Sequence, residues 1–503
     1  MKQRPIARWI SLIGASSLAA AAIAQTSTPQ QQPSQQPPQQ PASQQPLTQA
    51  TAQPGSNLLQ VVEKAVASHP EIQARFHDFT SSVEGQNILR GGMLPQVTAQ
   101  GWMGREQNSH MQDTPSYSWN RPGYALSLRQ MLYDGFTTSN SVKQLGYEKL
   151  SKYYDLVATT DSLANDVAGA YLDVQRYRET QRLARDNFTV HQRTLKLLQE
   201  RAQSGVGRGV DLEQASGRLN LAQTNLLTES NNLNAVVQRY RRLVGSPPPA
   251  TLDAVPDIGD KLPDARSVQN FSDSVRQNAA VLSKQALVQA AEAGQQAAKG
   301  AHQPRLDLIV STGRDRSLPY APYRDMQTTS AQLLLTYNLY RGGADEARVR
   351  QTVAQAYAAR DVRDYTCRNV LQELSIAWSN VMRLREQMPF LREHVLSTAK
   401  VRQAYQQQFQ IGQRTLLDLL NTENELFDAR RALVHAQYDL KKSEYAWLMQ
   451  SGKVLTALGV AQPHAQDLPK EQSSLVLPED ALRDCQDAAV PDTSNLTPLL
   501  KAE

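Results

Sequence analysis

The body of this chain is written twice. Leu132-Tyr133-Asp134-Gly135 is matched by Leu339-Tyr340-Arg341-Gly342, Ala170-Tyr171 by Ala377-Trp378, Gly205 by Gly412, Asp211 by Asp418 and Tyr240 by Trp447, each pair 207 residues apart. Pro95 and Pro304 match at a spacing of 209, so the two-residue difference falls in a loop between these anchors. A self-similarity of this length means that one structural unit is used twice, and whatever the first half folds into the second must fold into as well.

Each unit reads as a leading helix, two strands and two very long helices. No proline lies between Pro122 and Pro247, and in that window Leu163, Val167, Ala170, Val174, Tyr177, Ala184, Phe188, Leu195, Leu198 and Ala202 follow alternating three- and four-residue steps. Val370, Leu374, Ala377, Val381, Leu384, Leu391, Val395, Tyr405 and Phe409 repeat the register in the second unit. A seven-residue repeat sustained this long predicts helices supercoiling along a narrow seam, on the order of 100 Å from Gly135 to Gly205 at about 1.5 Å per residue. Return helices carry Leu212, Ala215, Leu219, Ala222 and Leu226 in one half and Leu419, Leu426, Ala429 and Leu433 in the other. Antiparallel hairpins follow, with tips at the glycines of Ser204-Gly205-Val206-Gly207 and at Ile411-Gly412, since glycine readily adopts the left-handed conformation that ends a helix. Pro389 predicts a kink or break in the second long helix.

The strands are expected at about Pro95 to Arg105, Tyr124 to Tyr133, Arg305 to Gly313 and Thr329 to Tyr340. Tyr124, Leu126, Leu128 and Leu132 alternate with Ser127, Arg129 and Tyr133, and Ala331, Leu333, Leu335, Tyr337 and Leu339 with Gln332, Thr336 and Asn338. About 9 to 11 residues, apolar toward lipid and polar toward a lumen, are enough for a transmembrane β-strand. A small soluble antiparallel sheet is the other reading. Four strands do not close a membrane barrel alone, so the membrane reading requires several chains.

The ends differ in composition from the body. Lys2, Arg4 and Arg8 precede an apolar run from Trp9 to Ala24, the pattern of an export signal over residues 1–24 with cleavage after Ala24. No cysteine near that site offers a lipid anchor. Residues 25–56, rich in Gln, Pro, Ser and Thr, are expected to be a disordered linker. The repeats then occupy 57–245 and 267–459, joined by 246–266, and residues 460–503 are expected to form a flexible tail. The only cysteines, Cys367 and Cys485, would in an oxidising compartment either pair or stand as separate thiols, and the sequence leaves both open. Lys+Arg 53 against Asp+Glu 48 is too even a balance to mark a nucleic-acid partner. The 8 histidines show no metal-ligand spacing, no nucleophile elbow is present, and the glycines at 205, 207 and 209 follow a helix and lack the Lys-Ser/Thr of a phosphate loop. No enzymatic activity and no cofactor are expected.

With the duplication, the strand pairs before each hairpin and the segment FQIGQRTLLDLLNTEN from Phe409 to Asn424, the chain resembles the TolC family of outer-membrane exit ducts. That last segment looks most like members serving type I secretion, including those that export large adhesins. The resemblance implies a mixed α and β fold, internally duplicated, whose long antiparallel coiled-coil hairpins form a periplasmic tunnel. Four strands per chain would enter a trimeric twelve-stranded outer-membrane β-barrel set in outer-membrane lipid. The implied partners are a periplasmic adaptor docking at Gly205, Val206, Ile411 and Gly412, an inner-membrane ABC transporter, and secreted protein cargo.

The family's gating arginine matches Arg414 and its constriction aspartates match Asp418 and Asp211. The gating tyrosine corresponds to Phe409 here and the second lumen aspartate to Asn421, so the resemblance implies one ring of carboxylates where relatives carry two. Arg414 and Asp418, four residues apart, share a helix face. On their own they would be a surface ion pair of about 0 to 1 kcal/mol, whereas threefold repetition at a narrow mouth would make Asp418 a cation-attracting ring. Two other functions compete with protein secretion: drug or small-molecule efflux with a proton-driven pump, and a structural periplasmic coiled-coil spacer, against which the repeated strand pairs speak.

Overall fold

The computed structural model describes residues 57–108, 117–205, 208–262, 268–317 and 324–478. The expected export signal, the linker over 25–56, Val206 and Cys485 lie outside these residues. In chain order the elements are α1 (Leu58–Ser68), α2 (Pro70–Gly91), β1 (Gln96–Asn108), β2 (Tyr117–Tyr133), α3 (Thr137–Gln203), α4 (Gly209–Val244), α5 (Val268–Gln277), α6 (Ala279–Lys299), β3 (Arg305–Ser317), β4 (Arg324–Thr336), α7 (Ala344–Gln410), α8 (Leu416–Gln450) and α9 (Val454–Leu458). Both long helices are 67 residues and begin and end 207 positions apart. The duplication is therefore kept to the residue.

Where one leading helix is expected, the structure has two in each half, and local chemistry explains both breaks. His69 caps α2 by accepting from the Glu71 amide, with Pro70 in the first turn where its missing N–H costs nothing. Asn278 accepts from the Ala280 and Val281 amides to start α6, while its Nδ2 donates to the Gln450 carbonyl. α7 runs through Pro389 without interruption. Proline removes one hydrogen bond from the helical ladder, and a helix of this length packed along α8 absorbs that loss.

The four strands form one antiparallel sheet in the order β1-β2-β3-β4. The strands extend further at their hairpin ends than the sequence suggested, and Pro122 lies inside β2. Pairing with β3 stops at Gly123↔Asp315, so Pro122 faces only β1 and no ladder bond to β3 is lost. β4 ends at Thr336, opposite the first residue of β3, which leaves Tyr337 and Tyr340 outside the sheet and exposed. Side chains segregate by face: Val97, Met103, Tyr124, Leu126, Val310, Leu333 and Leu335 share one face and are exposed. The other face carries Arg121, which donates to Glu106 (3.0 Å) and to Asp315, and Arg129, which donates to Asp307 (2.8 Å). Trp102, on the same face, lies over Gly123, where a Cβ would come within 2.4 Å of the indole. β1 and β4 are edges with no further strand beside them among the described residues.

Both strand-to-helix junctions demand two consecutive left-handed residues. The second half supplies Gly342 and Gly343, whereas the first supplies Gly135 and Phe136. Phe136 carries the strain of a positive φ of 62° with its ring edge-on to Tyr133. Around the upper helices, Val167, Ala170, Tyr171 and Val174 of α3 meet Leu374, Val381 and Trp378 of α7 and Trp447 of α8 in the main core. Most of the predicted heptad stripe is buried as expected.

Residues 479–503 of the expected tail lie outside the described residues, and its described part, 460–478, departs from expectation. Instead of trailing loose from residue 460, it packs on the helices as far as Leu477. The His464 ring stacks on Phe76 at 3.8 Å, Lys149 of α3 donates to Glu471 at 3.0 Å, and Gln285 of α6 donates to the Val476 carbonyl at 2.6 Å. Burial raises the Glu471 carboxyl, but the bonds it accepts from Lys149 and Gln86 outweigh burial and hold it below the usual carboxylate range. Cys367 is buried on α7 in the main core, two residues after Tyr365 on the face opposite solvent.

Candidate functional site at the hairpin tips

The tips end where glycine permits. Gly205 (φ 79°) and Gly412 (φ 78°) are left-handed, and a Cβ on either would touch nothing within 4 Å, so the requirement is conformational and not steric. Ile411 beside Gly412 is 69% exposed.

Beyond the second glycine, Thr415 caps α8. Its hydroxyl accepts from the Asp418 amide (3.3 Å), and the Asp418 carboxylate accepts from the Thr415 amide (3.3 Å) and hydroxyl (2.9 Å), a complete capping box. Arg414 is brought to the same carboxylate at 3.9 Å, donates to Gln408 at 3.2 Å and lies over the Tyr405 ring at 4.6 Å. Asp418 therefore has a local job before any other: it closes the cap. Asp211 occupies the matching third position of α4, half-exposed, and is not brought to any side-chain partner among the described residues.

Phe409 is partly buried. It packs with Leu195, Leu198, Leu212, Ala215, Leu416 and Leu420, an apolar plug built from all four long helices, with the Arg201 guanidinium 5.6 Å from its ring. Asn421 is exposed and accepts from Arg218 of α4 at 2.6 Å.

One turn above the plug is a second polar contact that sequence patterning did not single out. His191 of α3, 1% exposed, meets Asn424 Oδ1 of α8 through Nε2 at 3.0 Å. Burial holds its imidazole below the ordinary histidine range, partly offset by the Asn424 bond and by Glu423. Glu423 is itself held by Arg402 of α7. The signal was present as His191 interrupting an apolar stripe, but its partner lies 233 residues away.

Higher still, Asp173 of α3 gathers Arg176 (2.9 Å), Lys442 of α8 (3.0 Å) and Arg239 of α4 (3.6 Å), tying both hairpins together. Among the described residues no group of His, Cys, Asp and Glu could hold a metal, and no helix is long and apolar enough to cross a membrane.

Residues 61–246 and 271–448 match the family model described as outer membrane efflux protein. Among curated proteins, the outer membrane efflux protein BepC of Brucella suis biovar 1 (strain 1330) is 26% identical over 78% of this chain and 84% of its own length. Outer membrane protein TolC of Escherichia coli (strain K12) is 24% identical over 84% of this chain and 85% of its own. The proteases secretion protein PrtF of Dickeya chrysanthemi is 26% identical over 49% and 55% respectively. The crystal structure of the Campylobacter jejuni CmeC outer membrane channel superposes with a TM-score of 0.72 at 14% identity, covering 84% of this chain and 90% of that one, and the fold is shared.

Proposed function

The chain belongs to the outer membrane efflux protein family and is an outer-membrane channel protein, and on that premise we propose that it is one protomer of a homotrimeric exit duct for protein secretion. In this reading β4 of one chain pairs with β1 of the next until twelve strands close, the apolar face meets outer-membrane lipid, and the polar face with Arg121, Arg129 and Asp307 lines the lumen. The observation that carries the reading is the sheet: two long edges unpaired among the described residues and exposed apolar side chains on one face make no stable surface in water. Only closure with other copies inside a bilayer satisfies both.

At the far end of the helices, Arg414, Asp418 and Asp211 would form the periplasmic mouth, with Asp418 the main acidic ring, and Phe409 and Asn421 acting behind it. The exposed tips at Gly205, Val206, Ile411 and Gly412 would receive a periplasmic adaptor that links the duct to an inner-membrane ABC transporter. Type I secretion is favoured over efflux by the segment from Phe409 to Asn424 and by the likeness to a protease-secretion protein. Efflux is the second reading, favoured by the likeness to BepC.

Planar-bilayer recording of the purified protein, with Arg414→Ala and Asp418→Asn, tests the mouth. Conductance should rise in the first and cation selectivity fall in the second; no change in either removes these residues from it. Capture of an adaptor and ABC transporter from the native envelope supports secretion, whereas capture of a proton-driven pump overturns it.

A further inference from the structure

Asn421 and Asn424 are three residues apart on α8, and each reaches a different helix of the other hairpin. Asn421 Oδ1 accepts from Arg218 Nη2 of α4 at 2.6 Å, and Asn424 Oδ1 pairs with His191 Nε2 of α3 at 3.0 Å. The two contacts lie beside the apolar plug around Phe409 and Leu420. They are the cross-hairpin hydrogen bonds nearest the tips among the described residues.

We propose that this asparagine pair is a clasp that holds the two hairpins together just above the tips, and that protonation of His191 releases its α3 arm. The proposal rests on the reading of the tips as the duct's periplasmic mouth for its purpose, but not for its physics. A neutral amide is the right group for the task. It accepts from Arg218 without forming an ion pair whose strength varies steeply with salt, and it accepts from a neutral imidazole N–H without requiring charge.

His191 has the environment of a group that is held neutral while the clasp is shut. With Nε2–H donating to Asn424, its Nδ1 is buried without a partner, as are Asn424 Nδ2 and Asn187 Oδ1 one turn away. The charged groups that face the ring are Arg218 of α4, which opposes a second cation, and Glu423 of α8, which favours one but is engaged by Arg402 of α7. Burial outweighs Glu423, so the closed state depresses the imidazole below its ordinary value of about 6.5. The sign follows: the closed clasp is fully stable above the ordinary histidine range and weakens as pH falls from there toward the lower closed-state value. Opening hydrates the ring and lets it take the proton.

Amide hydrogen exchange on the full-length protein in detergent, corrected for intrinsic rates, tests the clasp without reference to conduction. Asn421→Ala should speed exchange in residues 416–428 about tenfold, the loss expected of a hydrogen bond to a charged donor. Asn421→Asp, which turns the contact into an ion pair, should slow it. Wild type should lose protection in residues 186–196 between pH 7.5 and 5.5, and His191→Gln, a neutral donor of similar reach, should abolish that pH dependence. Unchanged exchange in both Asn421 variants overturns the clasp, and a flat wild-type pH profile overturns the histidine arm. Exchange that responds as expected while bilayer conductance stays constant sustains the clasp and instead removes the tips from the conduction path.

Discussion

The two hairpins share a length and differ in what surrounds them and how they end. α3 is packed against α1, α2, α4, α6 and α8, whereas α7 packs chiefly against α6 and α8, with a smaller contact to α5. The tips differ in the same spirit. α8 opens with a complete Thr415–Asp418 capping box and buries Leu416 and Leu420, while α4 opens at Arg208 with no side-chain cap and carries Gly209 and Glu213 at those matching positions. Duplication has therefore preserved the scaffold and let the chemistry of each copy diverge, with the second tip organised and the first left plain.

The contrast is broken most forcefully in the plug. Leu420→Ala should cost about 2 to 5 kcal/mol, whereas Glu213→Ala at the matching exposed position should stay within about 0.5 kcal/mol, both read by denaturant unfolding. Similar losses at the two sites would mean that the tips are equivalent after all.

Next in size is a difference between the long helices. Asp161 on α3 is 5% exposed and burial pushes its carboxyl up to about 7, whereas the matching α7 residue is the exposed Arg368. Because the folded-state value is raised, the protein is most stable with Asp161 protonated and loses stability as pH climbs from about 4 through 7. Asp161→Asn should raise stability at pH 8, on the order of 2 to 4 kcal/mol, and change little at pH 4, with Tm at both pH values as the measurement.

Capping is a smaller effect that runs in both directions. Thr415→Ala should cost about 1 kcal/mol, and Arg208→Ser, whose extended backbone already suits a cap, should gain up to about that much. Faster and slower amide exchange in the first turns of α8 and α4 would show this. Arg414→Ala should have the least effect on stability, under about 1 kcal/mol, because its contact with Asp418 is long and nearly half-exposed.

The architecture was legible because it rests on repetition. A 207-residue offset, a seven-residue seam and tip glycines each say the same thing many times, and the 67-residue helices end where Gly205 and Gly412 predicted. Single-instance signals did worse. Pro389 announced a kink or break, yet the helix continues through it, and Ser68-His69-Pro70 divided a helix expected to be whole. The polar stretch around Glu471 looked solvated because its partner, Lys149, is 322 residues distant. At the tips the residues were found but their neighbours were not. Arg218 and His191 acquire meaning only through Asn421 and Asn424 on the other hairpin, and pairing across 203 and 233 residues leaves no local trace.

Helices of equal length also make the molecule a ruler. At about 1.5 Å per residue, removing one heptad from α3 alone would shorten it by roughly 10 Å and leave the two tips at different heights. Change in the reach of such a chain is therefore quantised: it must come in sevens to keep the seam in phase, and in all four long helices to keep the ends level.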